Sequence, residues 1–511
     1  MIDGLLHCGK MTASAEIDTL EISRLAMRFS RLCAEVGLPK SAWRGDADIQ
    51  RVVSDSRRVK EGDCFVAIRG NNSDGHKYIA DAIEAGCSAV VCQDDVLVPE
   101  GFPCAIVEDT RRIIGPLAQA AAGWPGRDLK VVGITGTNGK TTVAFLLRDI
   151  FRQAGYKVAM FGTVRYETLS RSSPARITTP SADELAEMMR ETVRAGGTHM
   201  VMEVSSHALD QHRVDGVDFS TAVFTNISGD HLDYHGSMED YFKSKSRLFE
   251  MLHSDAFAIL NRDEPMSESL AAITKAAVVW YGLSSASDVF GRIDSIDITG
   301  STFTVRVDGT ETAVRTNLIG RHNVYNCLAA IAAARSLGVG LEEIIAAIEH
   351  LCWVPGRMQR VDIEAPFTVL VDYAHTDDAL SKVLSALRPI TQGRLILLFG
   401  CGGDRDRIKR PRMARVAQRW ADVIIITSDN PRSENPNDII EEILEGFSPE
   451  GMEKVIVEPD RRMAITRAIE EAGEGDVVLL AGKGHEDYQI IGDKRIHFDD
   501  AEIVKEVAGE S

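Results

Sequence analysis

Apolar positions along the chain follow two rhythms. From Ile17 to Leu38 they recur at helical spacing, whereas Cys64 to Ile68 and Ala89 to Cys92 are short unbroken runs between polar turns. The first predicts an amphipathic helix and the others buried strands. After Trp124, Pro125 and Gly126, strand-like runs recur at Lys157 to Phe161, His199 to Val204, Thr221 to Asn226 and Ala256 to Leu260, with helical segments between them. This alternation predicts a parallel sheet flanked by helices. Residues 287–316 break the pattern with β-branched runs around Gly300 and Gly309, which predict antiparallel hairpins, and helices follow at Asn323 to Leu337 and Leu341 to Leu351. Beyond Pro355 and Gly356 the alternation resumes through VLVDYAH, LILLFG, DVIIITSDNPR, KVIVEP and DVVLLAGKGHE, predicting a second Rossmann-like unit.

A chain of 511 residues exceeds one core of ordinary size. The predicted fold is α/β in three domains: a small α/β domain at 1–126, a central P-loop domain with a parallel sheet and an antiparallel section at 127–354, and a Rossmann-like domain at 355–511. The formal charge of −19 disfavours a nucleic-acid partner or an anionic membrane surface, so an anionic substrate must meet local basic residues. Nine scattered cysteines without a CxxC pair predict free thiols in a reducing cytoplasm. MIDGLLHCGKM has no long apolar core, no later run approaches a membrane span, and either Met1 or Met11 is the start.

The stretch richest in chemistry is VVGITGTNGKTT, Val131 to Thr142. Gly136, Thr137, Asn138 and Gly139 place backbone amides before a helix opened by Lys140, Thr141 and Thr142, and such amides with the positive helix end wrap a polyphosphate. Lys140 would reach the terminal phosphates and Thr141 would offer its hydroxyl to Mg2+. The spacing departs from the strict P-loop formula, whose first glycine falls at Ile134. An ordinary strand-to-helix turn is the plain alternative.

Further polar clusters stand at or just after strand ends, where open α/β sheets bind ligands. Glu203 lies in MEVSSHALDQHR and His231 in TNISGDHLDYHG. An acidic strand end with a second donor on the next strand is what a Mg2+ held against a terminal phosphate needs; a histidine there is equally often structural. On spacing alone, Lys245 in YFKSKSRLF is a solvated lysine, residues 54–76 are polar surface turns, and DNPR is an Asx-Pro turn.

Taken in order, TGTNGKTT, EVSSHALDQHR, FTNISGDHLDYHG, the Lys245 helix, GRHNVYN, PGRM, VDYAHT, GCGGDRD, DNPR and AGKGHEDYQ resemble the Mur ligases, which build the peptidoglycan stem peptide, over residues 50–495. The resemblance implies a cytoplasmic, monomeric, ATP-dependent and Mg2+-dependent enzyme. It would phosphorylate the D-glutamate carboxylate of UDP-N-acetylmuramoyl-L-Ala-D-Glu and let an amine of meso-diaminopimelate displace the phosphate. A carboxylate resists nucleophiles and lacks a good leaving group, and an acyl phosphate cures both; forming it brings two anions together, so cationic screening dominates.

By resemblance, Lys140 and a Mg2+ on Thr141 and Glu203 supply that screening. A second Mg2+ sits on His231 and on Lys245 as its carbamate (N6-carboxylysine), since an ammonium cannot ligate a cation. Ser54, Ser56, Asn71, Asn72 and Ser73 match the uridine-diphosphate positions, and Thr178, Thr179, Ser205, Gln211 and Arg213 those nearer the sugar and peptide. Ile177 stands where some relatives carry a polar residue. Asn323 and Asn326 resemble the adenine side, with Arg357 and Asp372 closing over ATP; their plain alternative is helix capping and an ion pair.

The same resemblance makes Arg405 and Arg432 the holders of the diaminopimelate carboxylates. Asp429, Asn430, Pro431, Gly482 and Glu486 line the rest of that pocket, where the distal amino group is taken. Arg432 is the expected specificity residue against L-lysine, which lacks the distal carboxylate, and His375 is a candidate base that is equally a structural histidine. The alternatives are an L-lysine-adding ligase, a folylpolyglutamate synthase, which DNPR and AGKGHE oppose, and a nucleotide-gated binding protein, which Lys140, Glu203, His231 and Lys245 oppose.

Overall fold

The computed structural model describes residues 26–70, 73–229 and 232–509. These divide into two compact units, Met1–Thr110 and Arg111–Ser511.

In the first unit five strands form one sheet in the order Trp43–Arg44, Cys104–Ile106, Ala89–Cys92, Asp63–Val66 and Arg51–Val53, with parallel pairing except at the first edge. Val53, Phe65, Ile79 and Val90 fill its core. Of the helix expected from Ile17 to Leu38, residues 17–25 lie outside the described residues; in the described part Met27–Arg28 pairs as a strand with Asp48–Ile49 and Phe29–Glu35 is helical.

The larger unit holds two sheets. The first has eleven strands. Its parallel middle, Val158–Phe161, His199–Glu203, Lys130–Thr135, Thr221–Phe224, Phe257–Asn261 and Ala277–Gly282, is the βα alternation seen in the sequence. Side chains alternate across it with the strand period of two. Val132 and Ile134 pack beneath helices Lys140–Gln153 and Arg321–Ser336, whereas Val131 faces helices Ala182–Arg194 and Met238–Glu250. The meander Val289–Asp297, Gly300–Val307 and Thr310–Thr316 is antiparallel, turning at Gly300 and Gly309 as expected.

The second sheet has six strands in the order Gln359–Val361, Thr368–Asp372, Val477–Ala481, Leu395–Phe399, Val423–Ile426 and Val455–Val457, parallel but for the first edge. Its faces carry separate apolar clusters, one around Leu397 and Met413, the other around Leu398 and Ile465. TGTNGKTT, EVSSHALDQHR, VDYAHT, GCGGDRD, DNPR and AGKGHEDYQ therefore begin at the carboxyl ends of parallel strands. Among the described residues no helix is long and apolar enough to cross a membrane.

Candidate active site

The phosphate-type loop joins strand Lys130–Thr135 to helix Lys140–Gln153. Gly139, at φ 88°, sits just before the first helical residue, and a Cβ there would stand 2.4 Å from Asn326 Oδ1. At Gly136, φ 144°, a Cβ would stand 2.0 Å from Thr225 Oγ1. Both positions therefore require glycine. The loop is clamped from the next strand: Asn226 accepts from the backbone amides of Thr137 through its carbonyl (2.9 Å) and of Asn138 through Oδ1 (3.0 Å). Thr225 Oγ1 donates to the Asn138 carbonyl at 2.6 Å. Lys140 Nζ folds over the loop and donates to the carbonyls of Gly136 and Thr137, each at 2.9 Å. The Nδ2 of Asn138 is buried without a hydrogen-bond partner.

Lys245 closes the cluster from the other side. Its helix, Met238–Glu250, is capped by Ser237 Oγ, which accepts from the Asp240 amide at 3.1 Å. Tyr241, Lys245, Leu248 and Phe249 fall on its buried face. Lys245 is 1% exposed, donates to the Gly136 carbonyl at 2.9 Å and lies 4.4 Å from the Tyr241 ring centroid. The solvated reading of this lysine is wrong, because the helix period places it among the core-facing residues rather than the polar ones.

Glu203, 1% exposed at the end of its strand, joins the loop to a second cluster. Its carboxylate accepts from the Thr141 hydroxyl (3.0 Å) and from the Thr163 amide (2.8 Å) and hydroxyl (3.0 Å). Thr163 Oγ1 is 3.1 Å from Thr178 Oγ1. Thr179 Oγ1 donates to the Glu203 carbonyl at 2.9 Å and accepts from the Ser205 amide at 3.0 Å. Arg213 donates to the Thr179 carbonyl (3.1 Å) and to Gln211 Oε1 (2.6 Å), and Gln211 reaches Tyr234 at 3.1 Å. Burial pushes the Arg213 pKa down. The five residues matched to the sugar and peptide side thus form one connected cluster around Glu203, while Ile177 beside them is 44% exposed.

The Rossmann-like sheet adds Arg357, which donates to Thr141 Oγ1 at 3.2 Å. Asp372 accepts from the amides of Met358 (2.7 Å) and Ala374 (2.8 Å); burial raises its pKa and the Arg357 charge opposes this. Asn326 donates to Asn323 Oδ1 at 2.9 Å, and Asn323 donates back to the Ile319 carbonyl at 2.9 Å. Both are buried, with Asn326 against Gly139.

Three motifs meet at the carboxyl ends of the second sheet. Asn430 donates to Glu486 Oε2 at 2.8 Å and accepts from the Ile490 amide at 2.9 Å. A Cβ at Gly482 would stand 2.9 Å from Asp429 Oδ2. Arg432, at φ 52°, donates to the Gly403 carbonyl at 2.7 Å, and a Cβ at Gly403 would meet the Pro431 carbonyl at 1.9 Å. Arg405, exposed, donates to the Asp404 carbonyl at 3.1 Å. DNPR is therefore more than a surface turn: Asp429 and Asn430 are buried.

Spacing could not reveal the residues that hold these motifs together. Arg410, wholly buried, binds Glu434 (2.9 Å) and Glu442 (2.7 Å). Chiefly through its Arg410 hydrogen bond, the Glu434 carboxyl falls to about 2, and it also accepts from the Asp404 amide at 2.6 Å. Arg461 pairs with Asp500 at 2.6 Å, both fully buried, and donates to the carbonyls of Ser428 (3.3 Å) and Ala481 (3.4 Å) beneath DNPR and AGKGHE. Next to Glu486, His485 has its pKa lowered to about 3 by burial first and the Arg357 charge second. His375 is exposed, and its Nδ1 donates to the Tyr373 carbonyl at 2.9 Å.

In the first unit, Ser54 and Ser56 follow strand Arg51–Val53, and Ser73 Oγ lies 3.2 Å from Tyr78 OH. Asn71, Asn72 and His231 lie outside the described residues.

Three family models match in chain order: the Mur ligase family catalytic domain over residues 48–121, the Mur ligase middle domain over 134–334 and the Mur ligase glutamate ligase domain over 356–484. A protein of Solibacter usitatus named UDP-N-acetylmuramoyl-L-alanyl-D-glutamate--2,6-diaminopimelate ligase is 43% identical, covering 94% of this chain and 98% of its own. One of the same name from Geobacter metallireducens is 46% identical at the same coverage. The chain belongs to the Mur ligase family. A solved structure of a ligase of that name superposes with a TM-score of 0.68 at 31% identity, covering 95% of this chain and 99% of that one.

As a Mur ligase, the protein is an ATP-dependent ligase that uses Mg2+. The residues present fit that pair of ligands. The glycine cradle admits no Cβ, Asn138 Nδ2 is buried and unpaired, and Thr141 and Glu203 offer the hard oxygen donors that Mg2+ prefers. The departure from the strict P-loop spacing is met in this Mur ligase by the Thr225 and Asn226 clamp, which fixes the loop from the neighbouring strand.

Proposed function

We propose that this Mur ligase joins meso-diaminopimelate to the D-glutamate carboxylate of UDP-N-acetylmuramoyl-L-alanyl-D-glutamate, acting in the cytoplasm as a monomer in peptidoglycan precursor synthesis. One observation carries the reading: Glu203 links the phosphate loop, through Thr141, to the Thr163, Thr178, Thr179, Ser205 and Arg213 cluster, so the phosphoryl donor and the acid substrate are served by one hydrogen-bonded unit. The names of the relatives at 43% and 46% identity agree with it.

ATP with Mg2+ supplies an electrophilic phosphoryl group whose charge the metal screens. Gly136 to Thr142 would cradle the phosphates with Lys140 as their cation, and Thr141 and Glu203 would hold the metal. His231 and Lys245 as a carbamate would hold a second one. Asn323, Asn326, Arg357 and Asp372 bind the rest of the nucleotide. Arg213 is a partly desolvated cation beside the acid substrate, where a carboxylate is held bidentately. The carboxylate oxygen takes the γ-phosphoryl group as ADP leaves, the amine nitrogen then attacks the acyl carbon, and orthophosphate departs while the amine gives up its proton. Ser54, Ser56, Asn71, Asn72 and Ser73 bind the uridine diphosphate. Arg405 and Arg432 bind the diamino acid's carboxylates, and Asp429, Asn430, Gly482 and Glu486 its distal amino group.

Intact mass of the product tests this directly. With ATP, Mg2+, the UDP-dipeptide and meso-diaminopimelate, one amino-acid residue is expected to be added per ADP formed. A product carrying glutamate, or ADP formed with no gain in mass, would contradict it.

A further inference from the structure

The turn that carries Glu486 also carries a buried lysine that no step above uses. Lys483 has a side-chain exposure of 0%, donates to the Tyr488 carbonyl, and lies 3.4 Å from Glu486 Oε2. A lysine ammonium is costly to bury unless an anion compensates it. Here the compensation exceeds one charge, because Asp429 rests against Gly482 in the same pocket and Glu486 is fixed by Asn430 at 2.8 Å. Arg461, a further cation that feels Asp429 and Glu486, is matched by Asp500. The other titratable groups about this pocket are the phenols of Tyr373 and Tyr488, the buried imidazole of His485, and the guanidiniums of Arg357, Arg432 and Arg495, which act on those phenols; burial pushes Tyr373 up to about 12.

Two carboxylates against one ammonium leave a net charge of −1, room for one more cation. We infer that Lys483 is the residue that sets this charge: it keeps Glu486 ionised, so that the Asp429 and Glu486 pair takes up the ammonium of the incoming diamino acid instead of a proton. The role rests on Asp429, Asn430 and Glu486 holding the distal amino group, as proposed above. Burial first, and Asp429 second, drive the Glu486 carboxyl upward, and Lys483 is the largest opposing influence. Removing Lys483 therefore raises the pH at which Glu486 loses its proton. Since only the carboxylate attracts an ammonium, the loss of affinity is greatest at low pH and is relieved as pH rises. Lys483 acts through Glu486 and is a positioning residue.

The test is the KM for meso-diaminopimelate of the full-length enzyme at saturating ATP and UDP-dipeptide, followed from about pH 6.5 to about pH 8.5, where the diamino acid keeps its ammonium. Lys483→Met is expected to raise KM most at the acid end and to approach the parent enzyme at the alkaline end. Lys483→Arg, which restores the charge, stays close to the parent across the range. Glu486→Gln raises KM without that pH trend. A Lys483→Met defect of equal size at every pH, accompanied by a matching rise in KM for ATP, would overturn the charge-setting role and leave a brace for the Tyr488 turn. An unchanged KM in Glu486→Gln would instead overturn the placement of the amino group itself.

Discussion

Lys245→Ala is expected to lower kcat by about three orders of magnitude, the loss typical of removing a preorganised charge partner from a reacting centre. The side chain is 1% exposed and reaches the carbonyl of Gly136, inside the loop proposed to hold the phosphates. Two chemical forms of this residue make different predictions. As an ammonium it braces the loop and contributes a positive charge, and Lys245→Arg would keep part of the activity. As a carbamate it contributes anionic oxygens for a metal, a guanidinium cannot replace it, and added bicarbonate or a short carboxylic acid partly restores Lys245→Ala. Steady-state ligation assays of both variants with and without the additive decide between them. Rescue of Lys245→Ala together with a dead Lys245→Arg is the expected result; activity unchanged in Lys245→Ala would remove the residue from the mechanism.

The second large effect lies in amino-acid choice. Arg432→Ala is expected to lower kcat/KM for meso-diaminopimelate by about 10⁴ while changing L-lysine little, because a site built for a charged group rejects the analogue lacking it on that scale. Arg432 is held for the purpose: its backbone is left-handed, its amide donates to Ile490, and its guanidinium donates to Gly403. Separate kcat/KM measurements with the two amino acids check this. A parent enzyme that takes lysine as efficiently as diaminopimelate, or an Arg432→Ala variant that loses both equally, would show that specificity is read elsewhere.

Much of this architecture is legible along the chain because it is written in local rhythm. The parallel strands, the hairpins turning at Gly300 and Gly309 and the helix from Arg321 follow from apolar period and turn chemistry. Legibility fails where structure depends on distant pairing. Met27–Arg28 is a strand only because Asp48–Ile49 lies beside it. Thr163 meets Glu203 across 40 residues and Arg461 meets Asp500 across 39, distances at which spacing carries no signal. Lys245 is an intermediate case: Tyr241, Lys245, Leu248 and Phe249 share a face that its sequence already displays, but a lysine on such a face reads as solvated until its neighbours are seen. The same holds for Asp429 and Asn430, whose Asx-Pro sequence suits a surface turn and whose burial comes from Gly482, Glu486 and Gln489.

Orthophosphate release with ATP and Mg2+, measured with the UDP-dipeptide and meso-diaminopimelate omitted in turn, tests the central claim most directly. Sustained turnover is expected only when both are present, since the amine must consume the activated carboxylate before another ATP is used. Equal release without either substrate, or no release with both, would contradict a ligase that activates one bound acid for one bound amine.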